Sequence, residues 1–152
     1  MSKKLGVEEV VELLNLETLP IEGGQWTQTV RDDSSSAIYY LITNNDFSAM
    51  HRLEVPEVYH YYCGASTQLL LLYPEGQVSE PVLGSDLTAG ERPQIVVPAG
   101  VWQGSSTLGE WSLLGTTMSP PYTDEMFKIG SRSHLINGWP TVANRIIQLT
   151  HD

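Results

Sequence analysis

From Trp26 to Met118 the chain is a succession of short segments rich in Val, Ile, Thr, Tyr and Leu, cut by Gly, Pro, Asn or Asp at intervals of roughly 8 to 12 residues. This texture constrains the fold more than any other feature. Segments this short and β-branched read as antiparallel strands, and their apolar faces must be covered by a second sheet or by closure into a barrel. Strands are expected at residues 25–31, 37–43, 47–53, 58–63, 68–73, 78–83, 94–97, 102–105 and 111–117. The chain has 152 residues, 41% of them hydrophobic, which is enough for one domain with a real core and too short for two of ordinary size. The expected fold class is therefore all-β, one domain over residues 1–152, with its barrel core across 25–118.

Short helices are expected to flank that core. Val7, Val10, Val11 and Leu14 recur at steps of three and four with Glu8, Glu9 and Glu12 between them, an amphipathic pattern placed within residues 5–19. Pro20 and the Gly23-Gly24 pair end it. Residues 119–152 read as an irregular segment followed by a closing helix. Trp139-Pro140-Thr141 starts that helix, and Val142, Ala143, Ile146, Ile147 and Leu149 form its buried stripe.

Charge narrows the partners. Eight Lys and Arg stand against 18 Asp and Glu, a formal charge of -10. Nucleic acid is disfavoured because phosphate binding draws on clustered cations, and an anionic membrane surface is disfavoured for the same reason. The longest apolar runs, Leu69-Leu70-Leu71-Leu72-Tyr73 and Ile95-Val96-Val97, are strand-sized. The opening Met1-Ser2-Lys3-Lys4-Leu5 lacks the apolar stretch of a secretion signal, and the single cysteine, Cys63, has no internal disulfide partner. A cytoplasmic protein with a small-molecule partner is the expectation. Cys63 has no cationic neighbour in sequence and reads as a buried inert thiol.

Two stretches carry candidate chemistry. His51 and Glu57 flank a Pro-containing turn, and the run from Glu57 to Cys63 ends at Gly64. Strand alternation puts Glu57, Tyr59, Tyr61 and Cys63 on one face and Val58, His60 and Tyr62 on the other. A Glu facing inward among aromatics is costly unless partnered, so the first face reads as a polar pocket; the opposite reading turns His60 inward. The second stretch is Pro93-Gln94-Ile95-Val96-Val97-Pro98-Ala99-Gly100-Val101-Trp102-Gln103, a buried strand, a Pro-x-Gly turn and a second strand that carries Gln103.

These residues resemble the two motifs of the cupin superfamily. In the first motif, His51, Leu53, Glu57 and Gly64 fall on the H-x-H, Glu and closing Gly positions, with Asn45 in place of the opening Gly. In the second, Pro98 and Gly100 match, Gln103 stands at the His position, Thr107 where Asn is usual and Arg92 where Gly is usual. The stretches Ser36-Ala37-Ile38-Tyr39-Tyr40-Leu41, Asp46-Phe47-Ser48-Ala49-Met50-His51-Arg52 and Gly90-Glu91-Arg92-Pro93-Gln94 are similar to the small single-domain cupins of the cupin-5 type. The resemblance implies a double-sheet jelly roll, a homodimer and a ligand cavity between the sheets.

Fold alone names no reaction. The departures from the motifs shape the functional expectation. A cupin metal site of three His and one Glu would here retain His51 and Glu57, with Gln103 as a weak third ligand and Leu53 as none. A weakly held divalent metal is the lesser expectation and no cofactor the greater, which also disfavours a metal-dependent oxygenase. His51 and Glu57 are the catalytic candidates, against the reading of His51 as a hydrogen-bonded core histidine; the carboxylate orients the imidazole or shares its proton, with its own pKa raised by burial. Gln103, Tyr39, Tyr59, Tyr61 and Trp102 are the ligand-binding candidates, suited to a sugar-like or other small metabolite. Glu22-Gly23-Gly24 and Thr27 lie where related cupins close one end of the pocket or exchange segments, although a tight turn alone explains the glycines. The expected function is an acid-base isomerase or epimerase, the alternative a noncatalytic ligand-binding or sensor protein.

Overall fold

Strands buried along much of their length build two antiparallel sheets packed face to face. The structure, a computed structural model, describes residues 3–151. Among these, the first sheet has the order β1 (Glu17–Thr18), β2 (Gln25–Arg31), β3 (Ser36–Thr43), β11 (Trp111–Met118), β5 (Glu57–Gly64), β9 (Gln94–Val97). The second has the order β12 (Lys128–Ile129), β4 (Ser48–Arg52), β10 (Trp102–Thr107), β6 (Thr67–Leu72), β7 (Val78–Ser79), with β8 (Val82–Leu83) also on β6. This is the expected all-β double-sheet jelly roll. Three helices flank it: α1 (Val7–Leu14), α2 (Arg132–Gly138) and α3 (Ala143–Gln148). No helix of the described residues is long and apolar enough to cross a membrane.

The inner faces contribute Tyr40, Ile42, Tyr59, Leu69, Leu71, Leu83, Ile95, Val97, Val101 and Leu114 to one core. The outer faces are covered too. Val10 of α1 and Leu16 pack over Leu41, Trp111 and Leu113 of the first sheet. Leu135 of α2, Ile146 of α3, Trp139 and Leu149 pack over Met50, Leu70, Leu72 and Trp102 of the second. Burial from both sides explains the unbroken Leu69–Leu72 run, because alternate leucines serve different cores.

Several expectations on boundaries are corrected. The N-terminal helix is shorter than residues 5–19, ending where Asn15 takes a left-handed C-cap (φ 56°), and a short strand follows it. The strand expected over 78–83 is two, separated by Glu80-Pro81, where proline has no N–H for the ladder. The irregular C-terminal segment contains β12 and α2. In α2 only Leu135 is fully buried, so no apolar period marks it, while the Ser131 hydroxyl caps it by accepting from His134 N at 3.3 Å. Pro140 opens a single 3-10 turn before α3, and Ile147 is 44% exposed rather than part of the buried stripe.

The alternation of β5 breaks at one residue. Tyr61 pairs with Leu114 and Cys63 with Leu113, so Tyr62 is an extra residue, a β-bulge. Cys63 is thereby exposed, not the buried thiol expected.

Candidate functional site

A cavity of about 500 Å³ opens at one end of the space between the sheets. Its walls come from the 19–22 loop, β2, β3, the start of β5, the end of β11 and the 122–127 segment.

His51 stands on the inner face of β4, opposite Gln103 of β10, and is 1% exposed. Its Nδ1–H donates to the Ala49 carbonyl at 2.7 Å, which turns Nε2 toward Glu22 Oε1 at 3.4 Å. Phe127 stacks on the ring with centroids 5.2 Å apart. His51 therefore lies behind the cavity wall, and Glu22 and Phe127 are what a ligand meets.

Glu57, from the start of β5, is 7% exposed and lines the cavity, and its Oε1 has no hydrogen-bond partner. Burial pushes its pKa up, while the His51 ring, the Thr116 hydroxyl and the Gln103 amide pull the other way. A carboxyl tuned this way lends itself to holding and releasing a proton. Tyr59, two residues on and on the same face, donates its hydroxyl to Gln103 Oε1 at 2.5 Å. The two residues brace each other beside Glu57.

Glu22 and Tyr122 are site residues that the strand pattern does not reveal. Glu22 is carried by a loop pinned from four sides. Ala49 N donates to the Glu22 carbonyl at 2.7 Å, Gly24 N to Asp46 Oδ2 at 2.6 Å, and the Tyr40 hydroxyl to the Gly23 carbonyl at 2.5 Å. The Ser48 hydroxyl reaches Glu22 Oε2 at 3.5 Å. Gly23 and Gly24 have φ of 94° and 78°, and a Cβ on Gly24 would lie 2.3 Å from the Tyr40 ring. The turn role of the glycine pair is thus what delivers Glu22 to His51. Tyr122 follows Pro120-Pro121, and its pKa is pushed up to about 12 by burial first and then by Asp124, Glu22 and Glu57, so its hydroxyl remains a neutral donor.

Of the ligand-binding candidates Tyr59 lines the cavity, whereas Gln103, Tyr39, Tyr61 and Trp102 do not, which corrects that expectation. Tyr39 faces outward and meets the Tyr62 ring edge-on at 5.9 Å. Tyr61 donates to the Gly64 carbonyl at 2.7 Å and is absent from the cavity wall. Trp102 sits on the outer face of the second sheet, under Arg52 and against the C-terminal helices. Strand parity places Trp102 beside Gln103 in sequence and on the opposite face in space. Thr27 pairs with Tyr39 and is also absent from the wall. His60 faces outward too, its Nε2 3.0 Å from Thr117 Oγ1.

The residues present do not fit the three-histidine, one-carboxylate metal site. Leu53 is buried with Met118 and Met126, the Gln103 oxygen already accepts from Tyr59, and His51 Nε2 faces Glu22. Among the described residues no three His, Cys, Asp or Glu side chains converge as ligands.

Comparison with known proteins bears on the whole chain. Residues 8–130 match the family described as Cupin_5, cupin superfamily (DUF985). The uncharacterized protein YML079W of Saccharomyces cerevisiae is 34% identical over 90 residues, 59% of this chain and 45% of that protein. The chain thus matches less than half the length of that relative. Among solved structures, protein SO0799 of Shewanella oneidensis superposes with a TM-score of 0.92 at 30% identity, covering 97% of this chain and 99% of that one. A hypothetical protein from Leishmania major gives 0.89 at 25% identity, covering 97% and 100%. Oxalate decarboxylase of Bacillus subtilis gives 0.62 at 9% identity over 89% of this chain and 37% of that one, a likeness of fold alone.

Proposed function

The chain belongs to the Cupin_5 family of the cupin superfamily, and from that premise we propose that it binds a small metabolite between its sheets and moves a proton on it, as an isomerase or epimerase does. The observation that carries this reading is the unpartnered Oε1 of buried Glu57 on the wall of the same cavity as Glu22, which is paired with His51. In the proposed step the Glu57 carboxylate takes a proton from a carbon next to a carbonyl. The Tyr122 hydroxyl donates to the enolate oxygen that forms. The same Glu57 carboxyl returns the proton to carbon and is thereby reset as the base, while His51 holds Glu22 in place beside it. Gln103 and Tyr59 hold Glu57 in place, and of the two only Tyr59 lines the cavity.

One observation favours the alternative, a ligand-binding or sensor protein without turnover. Phe127 covers the His51 ring, so every proton reaching the imidazole passes through Glu22.

The test is proton exchange in D2O, followed by NMR across free aldoses, ketoses and amino sugars. Deuterium entering the carbon next to the carbonyl, and slowing ~100-fold or more in Glu57→Gln, supports catalysis. Binding of a sugar with no exchange in the wild type selects the sensor reading.

A further inference from the structure

Every formal charge on the cavity wall is negative. Glu22, Glu57 and Asp124 line it and no Lys or Arg does. The nearby guanidinium groups are directed elsewhere. Arg31 donates to the Tyr122 backbone carbonyl from the exposed side, and Arg52 lies over Trp102 on the outer face of the second sheet. His51 is turned to Glu22 behind the wall. An anionic ligand entering this space would meet three carboxylates and no compensating cation.

Two further features suit a positive group. Trp26, Tyr122 and Phe127 present aromatic surface to the cavity, and aromatic faces attract cations more strongly where water is excluded. Glu57 Oε1, on a side chain only 7% exposed, lacks any hydrogen-bond donor, so a site for a donor-bearing group is built into the wall. Apolar Leu19, Ile38, Leu53 and Met118 complete the lining and fit a hydrocarbon frame. The chain's net charge of -10 draws cations from solution and repels anions.

Resting on the reading of this cavity as a small-molecule site, we propose that it selects a ligand carrying a protonated nitrogen on an apolar or sugar-like frame and rejects phosphorylated and carboxylated ligands. Glu57 Oε1 receives one N–H of the ammonium group, and Asp124 at the rim and Glu22 at the base set the field around it. Trp26 and Phe127 supply the faces. Sugar phosphates and nucleotide sugars are thereby outside the range of this site, whereas amino sugars and small amines are inside it.

The experiment is a charge series on one frame: benzylamine, benzyl alcohol and benzoate, titrated into the full chain at pH 7 and low ionic strength by ligand-observed NMR. Glucosamine and glucose 6-phosphate serve as a second pair. Benzylammonium is expected to bind about tenfold more tightly than benzyl alcohol, with benzoate weakest. The advantage should shrink in Glu57→Gln and, at an exposed position where burial poses no folding risk, in Asp124→Asn. Benzoate or benzyl alcohol binding as well as benzylammonium, no binding by any of the three, or an ammonium preference unchanged in both variants would overturn the proposal. If the charge series holds while no deuterium exchange occurs, acid-base turnover fails and this selectivity stands. Exchange on neutral or anionic sugars with a flat charge series leaves turnover standing and overturns the selectivity.

Discussion

The two ends of the space between the sheets are made of the same strands and differ in what fills them. At the closed end Ile42, Leu69, Leu71, Leu83 and Leu114 pack into one buried core, and the unpartnered polar atoms there are the neutral hydroxyls of Thr67 and Ser105. At the open end Ser36, Ala37 and Thr116 contribute small side chains to the cavity wall, and the unpartnered atom is a carboxylate oxygen. An unsatisfied buried hydroxyl costs about 1–3 kcal/mol, and a charged group costs more. The contrast teaches where this fold keeps its stability and where it accepts a cost: the closed end behaves as core, and the open end holds a destabilising group in a space that fits a ligand.

The sharpest way to break that comparison is Leu114→Ala. Removing a fully buried side chain at the closed end is expected to cost about 3 kcal/mol in denaturant unfolding, whereas Ile38→Ala on the cavity wall should cost half as much or less. Equal losses would show that the open end is packed as core. Next in size is Gly24→Ala, expected to cost about 2 kcal/mol, since both its φ of 78° and the approach of Tyr40 oppose a Cβ. The same variant should displace Glu22 and weaken benzylammonium binding. Unchanged binding in a folded Gly24→Ala protein would detach that loop from the site.

The smallest effect has the opposite sign. The folded-state pKa of Glu57 is raised, so between its ordinary value near 4.5 and the raised value the native state binds more protons than the unfolded chain. Stability therefore falls as pH rises through that window, and it does not recover above it. Glu57→Gln removes this slope. At pH 8 the variant should be more stable by about 1 kcal/mol, a rise of about 2–4 °C in Tm for a chain of this size, and the gain should shrink toward pH 4. A loss of stability at pH 8 would mean that the Glu57 carboxylate is well compensated without a ligand.

Much of this architecture is legible without coordinates, for reasons that differ by region. Strands 25–31 and 94–97 coincide with the observed β2 and β9, because turn residues bounding a strand-forming run are local signals, and in β9 burial also alternates residue by residue. Parity within β5 correctly separates Glu57 and Tyr59 from His60, and it fails at Tyr62, where the bulge is visible only in the pairing with β11. Size and amphipathic character point Tyr39 and Trp102 to the cavity. Each instead packs on an outer face, and residue type says nothing about which face a helix will cover.

What the sequence by itself determined is therefore most of the strands, the all-β class and the shared face of Glu57 and Tyr59 opposite that of His60, since each follows from spacing along a few neighbouring residues. Only the tertiary structure decided that Glu22 reaches His51, that Phe127 covers it, and that Tyr122 and Asp124 complete one wall with Glu57. Glu22 and the 122–127 segment come from loops with no period of their own, about a hundred positions apart in the sequence. Their meeting depends on how the two sheets are laid together, which no local pattern encodes.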